Sequence, residues 1–411
     1  MAQALDIANF GRRSACPTLD APMQTGDGLL ARVRIAGGRL RPRQLAGLVR
    51  LAMQHGNGVA EVTARGNLQV RGLSADSSGP FAGAVTELVP VETGLVIDVS
   101  PIAGEDPEER ADPRHLAQAI RAGVEDFEHR LGPKVSVVVD GGGQISLAAL
   151  KADVRLLAVE GGRWSVQIGR GAEETCDAGH AVAVAVETLA RLAAMGPGAR
   201  AGDLPPQDPH PASPVRRGRS SIGVGVGSGV SARGTPPPSP GGGWVGVGRG
   251  LGLLRGTTTP IALPFGVVHA EALLQLAEAA NDTIRLAPGH MLLLDNASPA
   301  LIETAESLGF ITRGDDPRLR ISACIGSDGC ASGLMPARRL AARLATQAPT
   351  GKTLHVSGCG KGCAHPRPAD VALVGRADGI GLVIDGRAGD TPVQVLDEAG
   401  ILPAFADLDR R

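Results

Sequence analysis

Tyrosine is absent from the 411 residues, and aromatic side chains together make up only 2%. Base-stacking surfaces need aromatic platforms, so the composition argues against nucleic-acid recognition. Net charge is also missing: 41 basic and 42 acidic residues leave -1. Such a balance provides no field for a polyanion or an anionic membrane surface. Lysine is scarce beside arginine, and arginine suits local, bidentate recognition of carboxylates. No window approaches the ~18 uninterrupted apolar residues of a membrane span. Arg12–Arg13 is followed by Cys16-Pro17 and Asp20 rather than an apolar run, so no signal peptide is expected. These absences predict a cytoplasmic protein in a reducing setting, where free thiolates persist.

Cysteine is rare, with six in the chain, yet four of them fall between Ile321 and Pro366. Cys324 and Cys330 are separated by five residues, and Cys359 and Cys363 by three. Gly326, Gly329, Gly358, Gly360 and Gly362 surround them. Glycine lets backbone wrap closely around a group and turn N–H donors toward sulfur. Four thiolates from two loops are what a [4Fe–4S] cluster requires. Structural zinc favours tighter knuckles, and disulfides do not suit a reducing compartment. Cys16 and Cys176 lie in no ligand-like pair, and the sequence assigns them no chemistry.

At this length the chain can hold two or three domains. Residues 28–73 read as strand, helix and strand, with Leu45, Leu48, Leu51 and Ala52 at helical spacing. VAEVTARGNLQVRG reads as one alternating strand that sets Thr63, Arg65, Asn67 and Gln69 on a common face. Pro260–Asn296 repeats this unit. Each copy precedes a larger unit: ADVRLLAV in the first matches ADVALVGR in the second, and only the second carries the cysteine pairs. HLAQAIRAGVEDFEHRL in the first and ARRLAARLAT in the second read as helices. Duplication predicts a pseudo-twofold architecture with a site between the halves. The divisions expected are 1–80, 81–194, a Pro/Gly-rich linker over 195–243, 244–315 and 316–411. The linker contains Arg216, Arg217, Arg219 and a glycine-rich run from Gly223 that lacks the helix of a dinucleotide fingerprint.

The duplicated unit and the C-x5-C/C-x3-C pairs resemble the sulfite/nitrite reductase hemoprotein superfamily. The resemblance covers nearly the whole chain outside the linker. It implies an α+β fold with two ferredoxin-like half-domains and two cluster/tetrapyrrole-type α/β half-domains. ACPTLDAPMQTGDGLLARVRI, VTARGNLQVRG and KVSVVVDGGG are most similar to the precorrin-3B synthase family within it. What this implies is oxygen-dependent hydroxylation and lactone formation on a tetrapyrrole, precorrin-3A, in aerobic cobalamin biosynthesis. A [4Fe–4S] cluster on Cys324, Cys330, Cys359 and Cys363 and an external electron donor go with it, as does a mononuclear non-heme iron with His290 as ligand candidate. His355 and His365 flank the cysteine loops. By the same resemblance Arg32, Arg34, Thr63, Arg65, Asn67, Gln69, Lys134 and Arg285 are substrate-binding candidates; a polar, solvent-facing strand side is the competing account of the Thr63–Gln69 face.

Departures matter as much. The reductases' second anion-binding lysine corresponds to Ser136, an Arg-Asn pair to Leu95–Val96, and a further arginine to Glu61. So much lost positive charge weakens an oxyanion pocket, since each charged contact contributes roughly 1.5–3 kcal/mol. A siroheme-dependent sulfite or nitrite reductase is therefore the alternative, not the first expectation.

Overall fold

The computed structural model describes residues 16–205, 251 and 254–410. Arg12–Arg13, Arg216, Arg217, Arg219, the run from Gly223 and most of the expected linker lie outside the described residues. The first repeat consists of β1 (Met23–Thr25), β2 (Gly28–Val33), β3 (Arg39–Leu40), α1 (Pro42–His55), β4 (Val59–Val62), β5 (Leu68–Leu73) and α2 (Ala75–Leu88). A larger unit follows, of β6 (Val96–Asp98), α3 (Arg114–Gly123), β7 (Ser136–Asp140), β8 (Val154–Val159), β9 (Arg163–Ile168), β10 (Glu173–Cys176) and α4 (Ala178–Met195). The second repeat is β11 (Thr258–Ala262), β12 (Val267–His269), α5 (Ala270–Ala279), β13 (Ile284–Ala287), β14 (Met291–Asp295) and α6 (Pro299–Ser307). Its larger unit is β15 (Ile321–Ala323), α7 (Ala337–Leu344), β16 (Leu354–Ser357), β17 (Ala369–Arg376), β18 (Gly379–Gly386), β19 (Gln394–Leu396) and α8 (Ile401–Asp409).

The two larger units have one topology. β6, β7 and β8 run parallel, then β9 and β10 turn antiparallel; β15, β16 and β17 run parallel, then β18 and β19 turn antiparallel. In the ferredoxin-like part the repeats exchange strands. β3 leaves the first repeat to pair with β13, and β12 leaves the second to pair with β4. Both repeats consequently share one core, in which Leu45, Leu48 and Val49 of α1 meet Leu273 and Leu276 of α5. α1 forms because its apolar residues recur on one face and Pro42 occupies the first turn, where no N–H partner is lost.

Two sequence expectations need correction. VAEVTARGNLQVRG is not one strand but the β4–β5 hairpin, with Thr63–Asn67 as its turn. The Thr63 hydroxyl accepts from the Asn67 N–H at 3.1 Å, and Gly66 takes φ +76°, a conformation costly for other residues. The helix expected through HLAQAIRAGVEDFEHRL stops at Gly123. Glu125 and Asp126 follow there, and negative charge is unfavourable at the negative end of a helix dipole.

α4 has the length and composition of a membrane span, but Ala181, Ala185, Leu189 and Leu192 belong to the core beneath β7–β9.

Because each ferredoxin-like sheet contains a strand of the other repeat, a protease site inserted within 215–235 and then cut should leave two pieces that co-elute in size-exclusion chromatography. Separation into two folded halves would contradict the exchange.

Candidate functional site

Cys324 follows β15, and the chain turns at once. Gly326 adopts φ +66°, and a Cβ there would overlap the Met335 carbonyl and the Ala337 N–H. Cys330 N–H donates to the Gly326 carbonyl at 3.0 Å, and Leu334 N–H donates to the Gly358 carbonyl at 2.8 Å. The first bond closes the loop of Cys324 and Cys330 on itself, and the second stitches it to the loop of Cys359 and Cys363. Gly358 N–H donates to Cys324 Sγ at 3.1 Å, an orientation that stabilises a thiolate. A Cβ on Gly358 would stand 2.7 Å from the Gly326 Cα, so the loops approach as closely as glycine allows.

The Cys363 thiol lies within electrostatic reach of the other three. Burial raises the proton affinity of the Cys363 thiol, and Cys359, Cys324 and Cys330 raise it further, while Lys361 opposes. Cys363 itself keeps an exposed flank. Cys359 and Gly360 line an open groove of about 480 Å³, together with Leu334, Arg376 and Asp378. Among the described residues, no three His, Cys, Asp or Glu side chains are grouped to hold a single metal ion. Single-ion sites need Zn–S bonds of about 2.3 Å, whereas a multi-iron cluster holds its sulfurs farther apart.

His355 lies on β16 with no solvent exposure, behind the second loop. Its ring is 5.5 Å from that of His365. Burial, with His365 beside it, lowers its pKa to about 3. His365 itself meets the Pro368 carbonyl at 3.2 Å.

The substrate candidates divide into two groups. Arg34 is committed to the 92–95 loop: it donates to the Gly94 carbonyl at 2.9 Å and the Leu95 carbonyl at 3.1 Å, and pairs with Glu92 at 3.3 Å. Arg65, at the tip of the β4–β5 hairpin, pairs with Asp98 and donates to Ser136 and the Lys151 carbonyl. Burial raises the Asp98 carboxyl, which Arg65 and Arg34 pull back down. Lys134 lies on the turn into β7, two residues before Ser136. Arg285 is buried and paired with Asp295 at 2.5 Å and Glu105 at 2.7 Å, and it donates to the Pro101 carbonyl at 3.1 Å. Thr63 and Asn67 hold the turn described above. Arg32 differs: its guanidinium donates to Gln69 at 3.2 Å, and among the described residues its buried Nε has no partner. Burial lowers the proton affinity of Arg32, Cys16 and Glu61 oppose the fall, and Arg65 and Arg34 add to it.

His290 takes φ +64°, and its Nδ1 meets the Val62 carbonyl at 2.6 Å. Burial lowers its pKa, against the pull of that carbonyl. The hairpin turns of the two repeats meet here, since Gly289 N–H donates to the Ala64 carbonyl at 3.0 Å.

Four residues that sequence reasoning passed over, or named only as a departure, organise the site. Arg71 on β5 donates to both oxygens of Asp27, at 2.9 and 2.8 Å, and to the Gly329 carbonyl at 3.0 Å, next to Cys330. Burial works against its charge, yet Asp27 and Glu61 hold its proton affinity above the ordinary value. Glu61 is 5% exposed and accepts from Arg338 of α7 at 2.6 Å. Alternation from Gln69 reaches Arg71 one step further along β5, a signal that could have found it. Among the described residues, the buried side-chain nitrogens or oxygens without a hydrogen bond are Nε of Arg32, Arg320 and Arg338 and both ring nitrogens of His355.

A precorrin-3B synthase from Sinorhizobium sp is 39% identical over 422 aligned positions, covering 97% of this chain and 88% of that protein. The chain belongs to the precorrin-3B synthase family. Residues 21–87 also match the family described as nitrite/sulfite reductase ferredoxin-like half domain. Among solved structures, the Mycobacterium tuberculosis NirA protein superposes with a TM-score of 0.59 at 17% identity, covering 93% of this chain and 80% of that one. At that identity the likeness is one of fold, and it agrees with the duplicated α+β architecture.

Gly326→Ala should displace the first cysteine loop, through both the overlap and the positive φ. A loss of about 2–4 kcal/mol in denaturant unfolding is expected, and unchanged stability would contradict the close approach of the loops.

Proposed function

We propose that this protein converts precorrin-3A to precorrin-3B in aerobic cobalamin biosynthesis. The observation that carries the reading is the relationship to precorrin-3B synthase across 97% of the chain. One oxygen atom of O2 enters the macrocycle at the meso carbon between rings A and D, the other leaves as water, and the ring A acetate closes a lactone. Two electrons come from an external donor, since the sequence shows no dinucleotide fingerprint.

An iron–sulfur cluster is supported by the electrostatic reach of three thiols to Cys363, by a backbone N–H that already points at Cys324 Sγ, and by glycines that keep the loops thin. Cys324, Cys330, Cys359 and Cys363 would hold it, and when bound it supplies single electrons, which side chains do not. The open groove at Cys359 suits electron entry from outside. His290 is the candidate for any separate mononuclear iron, with Nδ1 taken by Val62.

Arg32 is the residue best prepared for a substrate carboxylate, because its guanidinium is half-buried and its Nε has no partner among the described residues. A carboxylate there gains charge-assisted bonds without breaking an ion pair. Arg320 and Arg338 have similar unfilled nitrogens. Arg34, Arg65 and Arg285, whose donors are taken by protein groups, shape the walls and hold the loops in register. Thr63, Asn67 and Lys134 complete the hairpin side of the site, a positioning task. The reducing cytoplasm is the compartment in which such thiolates persist.

Anaerobically purified protein, given reductant, O2 and precorrin-3A, should yield a product heavier by one oxygen atom in mass spectrometry. Cys359→Ala should lose iron, sulfide and turnover while keeping its circular dichroism. An intense siroheme absorption band in the purified protein would contradict the reading. Arg32→Ala should raise KM by about 10- to 150-fold, the equivalent of roughly 1.5–3 kcal/mol for a charged hydrogen bond. An unchanged KM would remove Arg32 from the site.

A further inference from the structure

One continuous buried chain of polar groups runs from Arg32 to the loop of Cys330. Arg32 donates to the Gln69 carbonyl oxygen at 3.2 Å, and the Gln69 amide donates to Glu61. Glu61 accepts from Arg338 at 2.6 Å and faces the Arg71 guanidinium at 4.0 Å. Arg71 in turn holds Asp27 and the Gly329 carbonyl. Glu61, Gln69 and Arg71 are each less than one-tenth exposed.

The duplication shows that the fold does not require this chain. Glu61 pairs with Val267 at the start of β12 as Arg285 pairs with Arg39 at the start of β3. The two positions are therefore equivalent, and the neighbouring registers match Gln69 with Leu293, Arg71 with Asp295 and Arg32 with Pro260. The second repeat keeps an ion pair, Arg285–Asp295, with its charges reversed. From that pair Arg285 reaches Glu105 and the Pro101 carbonyl instead, and the route through the sheet stops, because leucine and proline stand where Gln69 and Arg32 stand.

We propose that Glu61 is a positioning residue through which an anion at Arg32 and negative charge at the Cys330 loop oppose each other. This rests on the functional reading above, which supplies both the anion and a redox group at the cysteines. Arg71 is the member of this polar chain that bonds the loop, through the Gly329 carbonyl. Negative charge added there draws Arg71 toward Gly329 and Cys330 and leaves Glu61 to Arg338 and Gln69 alone. Gln69 is then held harder by Glu61, and its polarised carbonyl holds Arg32 harder, in competition with a substrate carboxylate. Inside a protein such bonds reinforce one another, because little solvent screens them. An anionic tetrapyrrole therefore binds the oxidised protein more tightly than the reduced one. By linkage, its binding makes the cysteine-held group harder to reduce.

The test compares the Kd of precorrin-3A, under strict anaerobiosis, for the oxidised protein and for protein reduced by one electron from dithionite. The wild type should bind about tenfold more tightly when oxidised, equivalent to about 59 mV for a one-electron couple. Glu61→Gln, with its iron content retained, should bring the ratio near one. Gln69→Leu, which copies the second repeat and breaks the chain elsewhere, should do the same and serves if Glu61→Gln does not fold. A ratio near one in the wild type, or an equal ratio in wild type and variants, overturns the proposal. If the wild type binds no precorrin-3A in either state, the functional reading fails. The link through Glu61 is then judged on the ligand-free midpoint potential: a shift in Glu61→Gln sustains it, and an unchanged potential overturns it too.

Discussion

Unpaired strand edges bind the two halves of this chain together. β4 offers an edge that β12 fills from the other repeat, and β13 offers one that β3 fills. An open edge leaves a row of N–H and C=O groups without partners, so each repeat completes its sheet only with a strand from its twin. The exchange places the two hairpin turns, at Thr63–Asn67 and Pro288–His290, against one another. It also brings α7 of the cysteine-bearing half within reach of Glu61 on β4. These groups meet because each repeat completes its sheet with a strand of the other.

Duplication then permits division of labour. The loop after β15 carries cysteines and glycines, while the corresponding region of the first half is filled by Ile102, Ile145, Leu147 and Leu150 in an apolar cluster. The twin loops of the first half are thus packed with apolar side chains, and the two cysteine pairs stand in the second half alone. The buried charges follow the same logic. Glu61 with Arg71 and Arg285 with Asp295 are reversed versions of one pair. Each arginine reaches out to a loop carbonyl, Gly329 in one case and Pro101 in the other. A buried ion pair contributes little net stability, yet breaking one costs about 3–5 kcal/mol. Such pairs therefore fix the position of the loops they hold.

Much of this was legible in the sequence. The match of ADVRLLAV with ADVALVGR announced the repeated sheets, and the cysteine spacing marked the loops at Cys324–Cys330 and Cys359–Cys363. Period alone could not separate a strand from a hairpin at Thr63–Asn67, because the turn residues continue the polar alternation. Side-chain commitment was equally out of reach. Arg32, Arg34, Arg65 and Arg285 look alike as letters, but three of them donate to carboxylates or backbone carbonyls, whereas Arg32 donates to the Gln69 side chain and, among the described residues, has no partner at Nε. The strand exchange was hidden as well, since it depends on edges that meet only in three dimensions.

On the proposed function, this scaffold, with its anion-binding positions replaced, oxygenates the tetrapyrrole. The most direct measurement is turnover of precorrin-3A under isotopically heavy dioxygen in ordinary water, with the product examined by mass spectrometry. One heavy oxygen atom retained per product molecule is the predicted result. A product whose new oxygen comes from water, or no product at all beside reduction of sulfite or nitrite, would contradict it.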